Sequence, residues 1–338
     1  MLCTSSERQL TKMKKILSLI LIICLSITAF AACDNTQTSG GQNPQATPTP
    51  VPTPSGNTST NQGEDDSIII KCDSWSATIT KFDSKGEDDD ITTGISLADA
   101  STSIDGNGAI YKDGKVVISA AGTYLVTGTL TSGSIIVDVP ELDKVHLILK
   151  GVTITSKDYA AICVIAGDKV TITLAEGTTN TLTDSANYTF SYSNLVIPNA
   201  CLFSKEDLTI NGKGTLVVKG NHNNGITSKD DLKILDGTYD VTAVNHGIRG
   251  NDSVLINGGT IKVYAGNDGI KSSNTLESSK GCILITGGTV NVKATDDGIQ
   301  AVSAIYITEG KATVECSGKT INCDGAVWTN KGALTEVE

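Results

Sequence analysis

Four segments of the chain carry one pattern: Asn-Asn-Gly-Ile at Asn223–Ile226, Asn-His-Gly-Ile at Asn245–Ile248, Asn-Asp-Gly-Ile at Asn267–Ile270 and Asp-Asp-Gly-Ile at Asp296–Ile299. Their isoleucines lie 22, 22 and 29 residues apart. A period of this length makes each repeat one coil of a stack, so any residue at a fixed place in the repeat becomes a column. Alignment on the Gly-Ile step gives the apolar columns Leu232/Val254/Ile283/Ile305, Ile234/Ile256/Ile285/Ile307 and Val241/Val263/Val292/Val314. Apolar positions two apart and rich in Ile and Val are short strands with one buried face. Between the last two columns runs glycine, at Gly237, Gly259, Gly288 and Gly310, as a corner requires. Three short strands and three turns fit about 22 residues at roughly 3.3 Å per strand residue. The expected fold is all-β, a parallel β-helix.

Weaker coils precede these: Asn199–Val218 with Leu202 in the Ile226 column, then Ala161–Leu174 and Ser134–Ile154. The stretch Glu176–Pro198 lacks the pattern and reads as an excursion from the stack. Trp75 and Trp328 lie off the repeat and read as caps filling its two ends.

The N-terminus reads as an export device. Lys12, Lys14 and Lys15 precede an apolar run from Ile16 to Ile27, followed by small residues at Ala29–Ala32. Met13 is the more ordinary start, which would make residues 1–12 an extension, and 1–32 the signal peptide. Cys33 follows as an expected lipidation site, with plain cleavage after Ala31 as the alternative. Residues 33–66, rich in Thr, Ser, Gln, Asn and Pro, cannot bury a core and read as a tether. Residues 67–338 are then the β-helix domain, expected as a monomer at the cell surface, outside the cell, touching the membrane only through the anchor.

Formal charge is −11; residues 1–32 hold four basic and one acidic residue, leaving −14 on the remainder. That argues against nucleic acid as a partner. Six cysteines beyond the leader show no metal-type spacing; Cys316 and Cys323 are placed to close a seven-residue loop.

Two polar columns flank the repeat glycine. The nearer is Asn224, His246, Asp268, Asp297, and the other is Asn223, Asn245, Asn267, Asp296. With coils ~4.8 Å apart, Asp268, Asp296 and Asp297 converge at one corner. Three crowded carboxylates repel unless protonated or neutralised, which favours a hard cation, Ca²⁺, with Asn245 or Asn267 completing its oxygen shell. Stacked asparagines that bond one another are the alternative. A second column, Asp230, Asp252 and Asn274, is a weaker ion candidate. Beyond the buried isoleucine runs an outward column of Thr227, Arg249, Lys271 and Gln300. Arg249 and Lys271 beside a cation suit the carboxylates of a uronate polymer, with Gln300 as a further substrate contact. Aromatic content is 4%, and neutral sugars are usually held by aromatic stacking, so an acidic ligand is favoured over cellulose.

The runs FSKEDLTINGKGTL, NHNNGITSKDDLKI, NDGIKSSN and DDGIQA within Asn199–Ala301 resemble the carbohydrate-binding β-helix lipoproteins of clostridia. The likeness extends back through Trp75–Thr183. The resemblance implies a right-handed parallel β-helix similar to pectate lyases, bound Ca²⁺, and affinity for plant cell-wall polysaccharides such as pectic acid and cellulose, without established cleavage. Asp268, Asp296 and Asp297 fall in the matching motifs; Asp252 and Asn274 match more loosely. Two other function classes fit the residues: a calcium-dependent polysaccharide lyase with Lys271 or Arg249 as base, and a structural surface protein whose calcium only stiffens the coil.

Overall fold

The computed structural model describes residues 58–63, 66–73 and 75–337. The signal peptide, most of the tether and Cys33 therefore lie outside the described residues.

The repeat folds as its register demands. Ile226, Ile248, Ile270, Ile299 and Ile321 pair in sequence down one parallel sheet. The column Leu232, Val254, Ile283, Ile305 pairs down a second, and Val241, Val263, Val292, Val314 down a third. Three parallel faces around one continuous apolar core make the parallel β-helix. Face 1 includes Ser134–Asp138, Ile162–Ala166, Ala200–Ser204, Asn224–Ser228, Ile248–Gly250, Ile270–Ser272, Ile299–Ala301 and Ile321–Cys323. Face 2 includes Lys169–Leu174, Asp207–Gly212, Asp231–Ile234, Ser253–Ile256, Cys282–Ile285, Ala304–Ile307 and Ala326–Thr329. Face 3 includes Thr179–Thr183, Thr215–Gly220, Thr238–Ala243, Thr260–Ala265, Thr289–Ala294, Lys311–Cys316 and Leu334–Val337. Each buried isoleucine of the motif is worth about 1.5–3 kcal/mol in water exclusion.

Two kinds of glycine hold this coil. Gly259, at the corner between faces 2 and 3, has φ of +88°, where any other residue is strained. The glycine of the Gly-Ile motif serves space instead. A Cβ on Gly247 would stand 2.1 Å from Val263 Cγ1 across the coil, so the motif glycine exists to let the valine column in.

The stack reaches further than the motif. Thr93–Ala98 runs parallel to Gly122–Leu130, and Lys115–Ile118 parallel to Ser134–Asp138. Antiparallel partners, Ser103–Gly106 and Ala109–Lys112, cover these first strands, which removes an open edge. Thr179–Thr183 is a face 3 strand paired with Thr215–Gly220, so the excursion is confined to the segment after Thr183. Thr58–Gln62 is a strand within the range read as tether. Among the described residues the thiols of Cys316 and Cys323 are free, so no disulfide closes the expected loop.

The tryptophans do not cap the ends. Thr58–Gln62, Ile68–Cys72 and Trp75–Ile79 form an antiparallel sheet. Its Ile70, Cys72, Trp75 and Ile79 pack on Leu255, Leu284 and Tyr306 of face 2, with Trp328 alongside. These are outward residues of face 2, paired as one column, so the sheet lies along the flank of the helix. The continuation of this strap pins itself by charge. Asp83, 0% exposed, lies 3.0 Å from the Lys169 ammonium and 3.3 Å from that of Lys233. It also accepts hydrogen bonds from Thr209 Oγ1 at 2.5 Å and Thr80 N–H at 2.7 Å. Burial alone pushes its carboxyl up; Lys233, Lys169 and the two threonines outweigh that and hold it at about 2.

Asp83→Asn should therefore destabilise the fold by about 3 kcal/mol, the lower part of the range for removing one partner of a buried pair, because Asp207 stays 3.6 Å from Lys169. The depressed carboxyl contributes stability that is fully present above about pH 4 and lost as pH falls toward about 2. Urea unfolding of wild type and variant at pH 7 and pH 3 checks both statements. Equal midpoints at pH 7 would show that the latch does not hold the strap.

Candidate functional site

At the corner leading into face 1 the two polar columns stand as the repeat places them, and they behave differently. The outer asparagines form a ladder: Asn245 donates to Asn223 Oδ1 at 2.7 Å and Asn267 donates to Asn245 Oδ1 at 2.9 Å. This is the self-satisfying arrangement expected of stacked amides. Asp296 continues the column as an exposed carboxylate.

The inner column is a carboxylate-and-amide stair. Asn224 Oδ1 accepts the His246 N–H at 3.2 Å, Asp268 Oδ1 accepts the Asp297 N–H at 3.2 Å, and Asp297 Oδ1 accepts the Lys319 N–H at 2.8 Å. The carbonyls of His246, Asp268 and Asp297 accept the N–H of Gly225, Gly247 and Gly269. These carbonyls are thus taken up between coils.

Asp268 is 2% exposed. Its Oδ2 lies 2.8 Å from the Lys271 ammonium and 3.2 Å from His246 Nδ1, the latter off the line of a good hydrogen bond. Burial alone pushes the Asp268 carboxyl up, but His246 and Lys271 outweigh it and hold it at about 2. Asp297 Oδ2 accepts from Asn322 Nδ2 at 2.6 Å. Ligand atoms of Asp268, Asp296 and Asp297 all lie within 4.8 Å of one another. Two oxygens on one Ca²⁺, each at about 2.3–2.6 Å, stand no more than about 5 Å apart. The three carboxylates fit such an ion, and Lys271 competes with it for Asp268 Oδ2.

The outward column of face 1 is paired in register as Thr227, Arg249, Lys271, Gln300 and Asn322. Arg249 donates to Ser273 Oγ from Nη2 at 2.8 Å and Nε at 3.2 Å. Burial lowers the Arg249 pKa, and burial followed by the Arg249 charge lowers that of Lys229. Lys271 touches the carboxylate corner, Arg249 is its neighbour in the column, and Lys229 is close enough to feel the Arg249 charge. The sequence reading missed Lys229, although it lies three residues after Ile226 in the first full motif. Gln300 Oε1 is buried there without a hydrogen-bond partner.

The second acidic column is rearranged by the seven extra residues of the third repeat. That insertion carries Lys280, whose ammonium stands 2.5 Å from Asp252 Oδ2 and 3.0 Å from Glu277. Asp252 Oδ1 accepts from Asn274 Nδ2 at 2.6 Å, while Asn274 Oδ1 takes the N–H groups of Leu276 and Glu277. Asp252 and Asn274 are thereby engaged within the protein. The acids that converge at this corner are Asp207, Asp230 and Asp231, also within 4.8 Å of one another. Burial, then Asp252, Asp207 and Asp231, push Asp230 well above the carboxylate range, and burial followed by Asp231 raises Asp207.

Other proteins resemble this chain. A relative from Acetivibrio thermocellus, described as a carbohydrate-binding domain-containing protein, is 40% identical over 137 residues, or 40% of this chain. The match spans about half (48%) of that relative's length. A solved structure described as the polysaccharide lyase-like protein from C. thermocellum, gadolinium derivative, is 39% identical, with a TM-score of 0.71. It covers 73% of this chain and 100% of its own. The model of the carbohydrate-binding domain-containing family matches residues 112–336, well over half of the sequence. The chain belongs to the carbohydrate-binding domain-containing protein family.

Proposed function

We propose that the protein is an extracellular module that binds an acidic plant cell-wall polysaccharide, of the polygalacturonate kind, with the help of Ca²⁺ and without cleaving it. The observation that carries the reading is the convergence of Asp268, Asp296 and Asp297 beside Lys271, with Arg249 next to it in the outward column. Asp268, Asp296 and Asp297 would hold the ion, and the ion would supply positive charge for ligand carboxylates. The solved relative is named as a gadolinium derivative, which supports an affinity for hard, oxygen-seeking cations. Lys271 and Arg249 would meet the uronate carboxylates, Arg249 by its paired N–H groups. Gln300 lies next in the column and would be a further contact. Export by the leader and anchoring through Cys33 would place this surface outside the cell.

A calcium-dependent lyase is the second reading, favoured by the lyase-like relative and by a lysine beside the carboxylate corner. Against it, the Lys271 ammonium is taken up by Asp268, an arrangement that serves charge pairing better than proton abstraction.

Calcium should raise the melting temperature, and Asp297→Ala should remove most of that rise. The calcium-dependent increment is the readout, since Asp297 also accepts from Lys319 and Asn322 and its loss lowers the baseline. Identical melting curves in saturating calcium and in chelator would sink the metal site. Lys271→Ala should weaken polygalacturonate binding several-fold, and added salt should weaken wild-type binding. The same variant should keep or enlarge the calcium increment, because its ammonium no longer competes for Asp268. Prolonged incubation with polygalacturonate and calcium should produce no ultraviolet absorbance from unsaturated sugars. Absorbance that grows with wild type and vanishes with Lys271→Ala would establish the lyase instead.

A further inference from the structure

The three faces are unequally covered. Face 2 carries the strap along Leu255, Leu284 and Tyr306. The early half of face 1 presents Ile136, Cys163 and Phe203, which pack with Val196, Tyr188 and Phe190 of the excursion. Among the described residues nothing is laid over face 3 through its central coils. Its outward side chains at Thr238, Asp240, Thr242, Thr260, Lys262 and Tyr264 are all exposed.

Tyr264 is the unusual member. It is 46% exposed, and its hydroxyl has no hydrogen-bond partner among the described residues. The other exposed tyrosine, Tyr192, is already committed to Asp138 at 3.0 Å. Tyr264 pairs in register with Thr242 on one side and Lys293 on the other, and Lys293 with Glu315. Two adjoining depressions in the sheet share this row of Tyr264, Lys293 and Glu315. Lys262 and Asn291 border one depression; Thr242 and Thr295 border the other.

The charge of this patch is balanced. Lys293 and Glu315 pair at 2.6 Å, and Asp240 lies in register beside Lys262. A balanced patch has no net pull on a polyanion, unlike the basic group of face 1. What it offers is an aromatic ring, an amide, hydroxyls and paired charges on a flat sheet. Stacking on a ring flanked by hydrogen-bonding groups is the chemistry that holds an uncharged sugar ring. Strands about 4.8 Å apart set Thr242, Tyr264, Lys293 and Glu315 one after another at close to the length of one hexose.

We propose that face 3 is a second carbohydrate surface, centred on Tyr264, Lys293 and Asn291, that takes a neutral, unbranched glycan and needs no metal. It rests on the family's carbohydrate binding but not on the calcium corner, which lies at the turn from face 3 into face 1, beyond Gly266 and Thr295 at the rim of the second depression.

The test is retention of the full mature protein on amorphous cellulose, a neutral β-glucan, in the presence of chelator. Wild type should be retained, and Tyr264→Ala should weaken retention by several-fold to about tenfold, the range for one lost aromatic contact. Tyr264→Phe should retain most of it. Because the side chain is exposed, melting temperature should not move. In calcium, Tyr264→Ala should bind polygalacturonate as wild type does, while Lys271→Ala should keep its hold on cellulose. Absence of wild-type retention in chelator would overturn the proposal, as would equal retention of wild type and Tyr264→Ala. Loss of both ligands through Lys271→Ala alone would place all binding on face 1 and overturn it too.

Discussion

In-register parallel stacking governs everything else in this molecule. Each residue of a coil stands ~4.8 Å from its counterpart above and below, so a chemical choice made once is repeated down the column. For isoleucine that repetition builds a core. For carboxylates it is a liability: two ionised groups at that spacing repel by about 3–4 kcal/mol at the effective dielectric of a protein surface. The structure meets this coil by coil. Asp268 takes Lys271, Asp297 takes Asn322 and a backbone N–H, and Asp252 takes Lys280. Where burial and neighbouring carboxylates act together, as Asp252, Asp207 and Asp231 do on Asp230, the proton stays on longer. Amides escape the problem because each donates to the next, as Asn267, Asn245 and Asn223 do.

The same rule explains what could be read from the sequence. Aligning repeats is equivalent to assigning register, so the columns from Ile226 to Ile299, from Leu232 to Ile305 and from Thr227 to Gln300 follow directly from spacing. The convergence of Asp268, Asp296 and Asp297 follows in the same way. Register says nothing about partners that arrive from outside the repeat. Lys280 reaches Asp252 from an insertion that breaks the period, and Asp83 reaches Lys233 from 150 residues away. Trp75 looked like an end cap because it lies near the start of the domain, yet chain position does not say which surface a non-repeating strap will follow. Thr179–Thr183 was hidden for a related reason: its alternating residues fit a strand, but the irregular segment behind it masked the spacing.

Coverage, in turn, is written in the outward columns. Down face 1 the outward residue runs Val117, Ile136, Cys163, Phe203 and then Thr227, Arg249, Lys271, Gln300. The apolar part ends at Phe203, the last outward residue packed on the excursion; Thr227 is still buried, and the column becomes accessible from Arg249 onward. Face 2 makes a similar exchange, from Thr171, Thr209 and Lys233 beneath the charged turn of the strap to Leu255, Leu284 and Tyr306 beneath its apolar sheet. An outward column that stays polar with nothing laid over it is therefore a surface available to a ligand.

This division frees the outward residues from the fold. Ile248 and Ile270 are fully buried and each holds its coil, whereas Arg249 and Lys271, one residue further on, point away from the core on the same strands. Stability is set by the inward set and recognition by the outward set, and alternation along a strand keeps the two apart. Asp268 is where they meet. It is buried, it accepts the N–H that joins one coil to the next, and its other oxygen faces Lys271 at the surface. A change of charge at that carboxylate is felt both by the stacking of coils and by the basic column beside it.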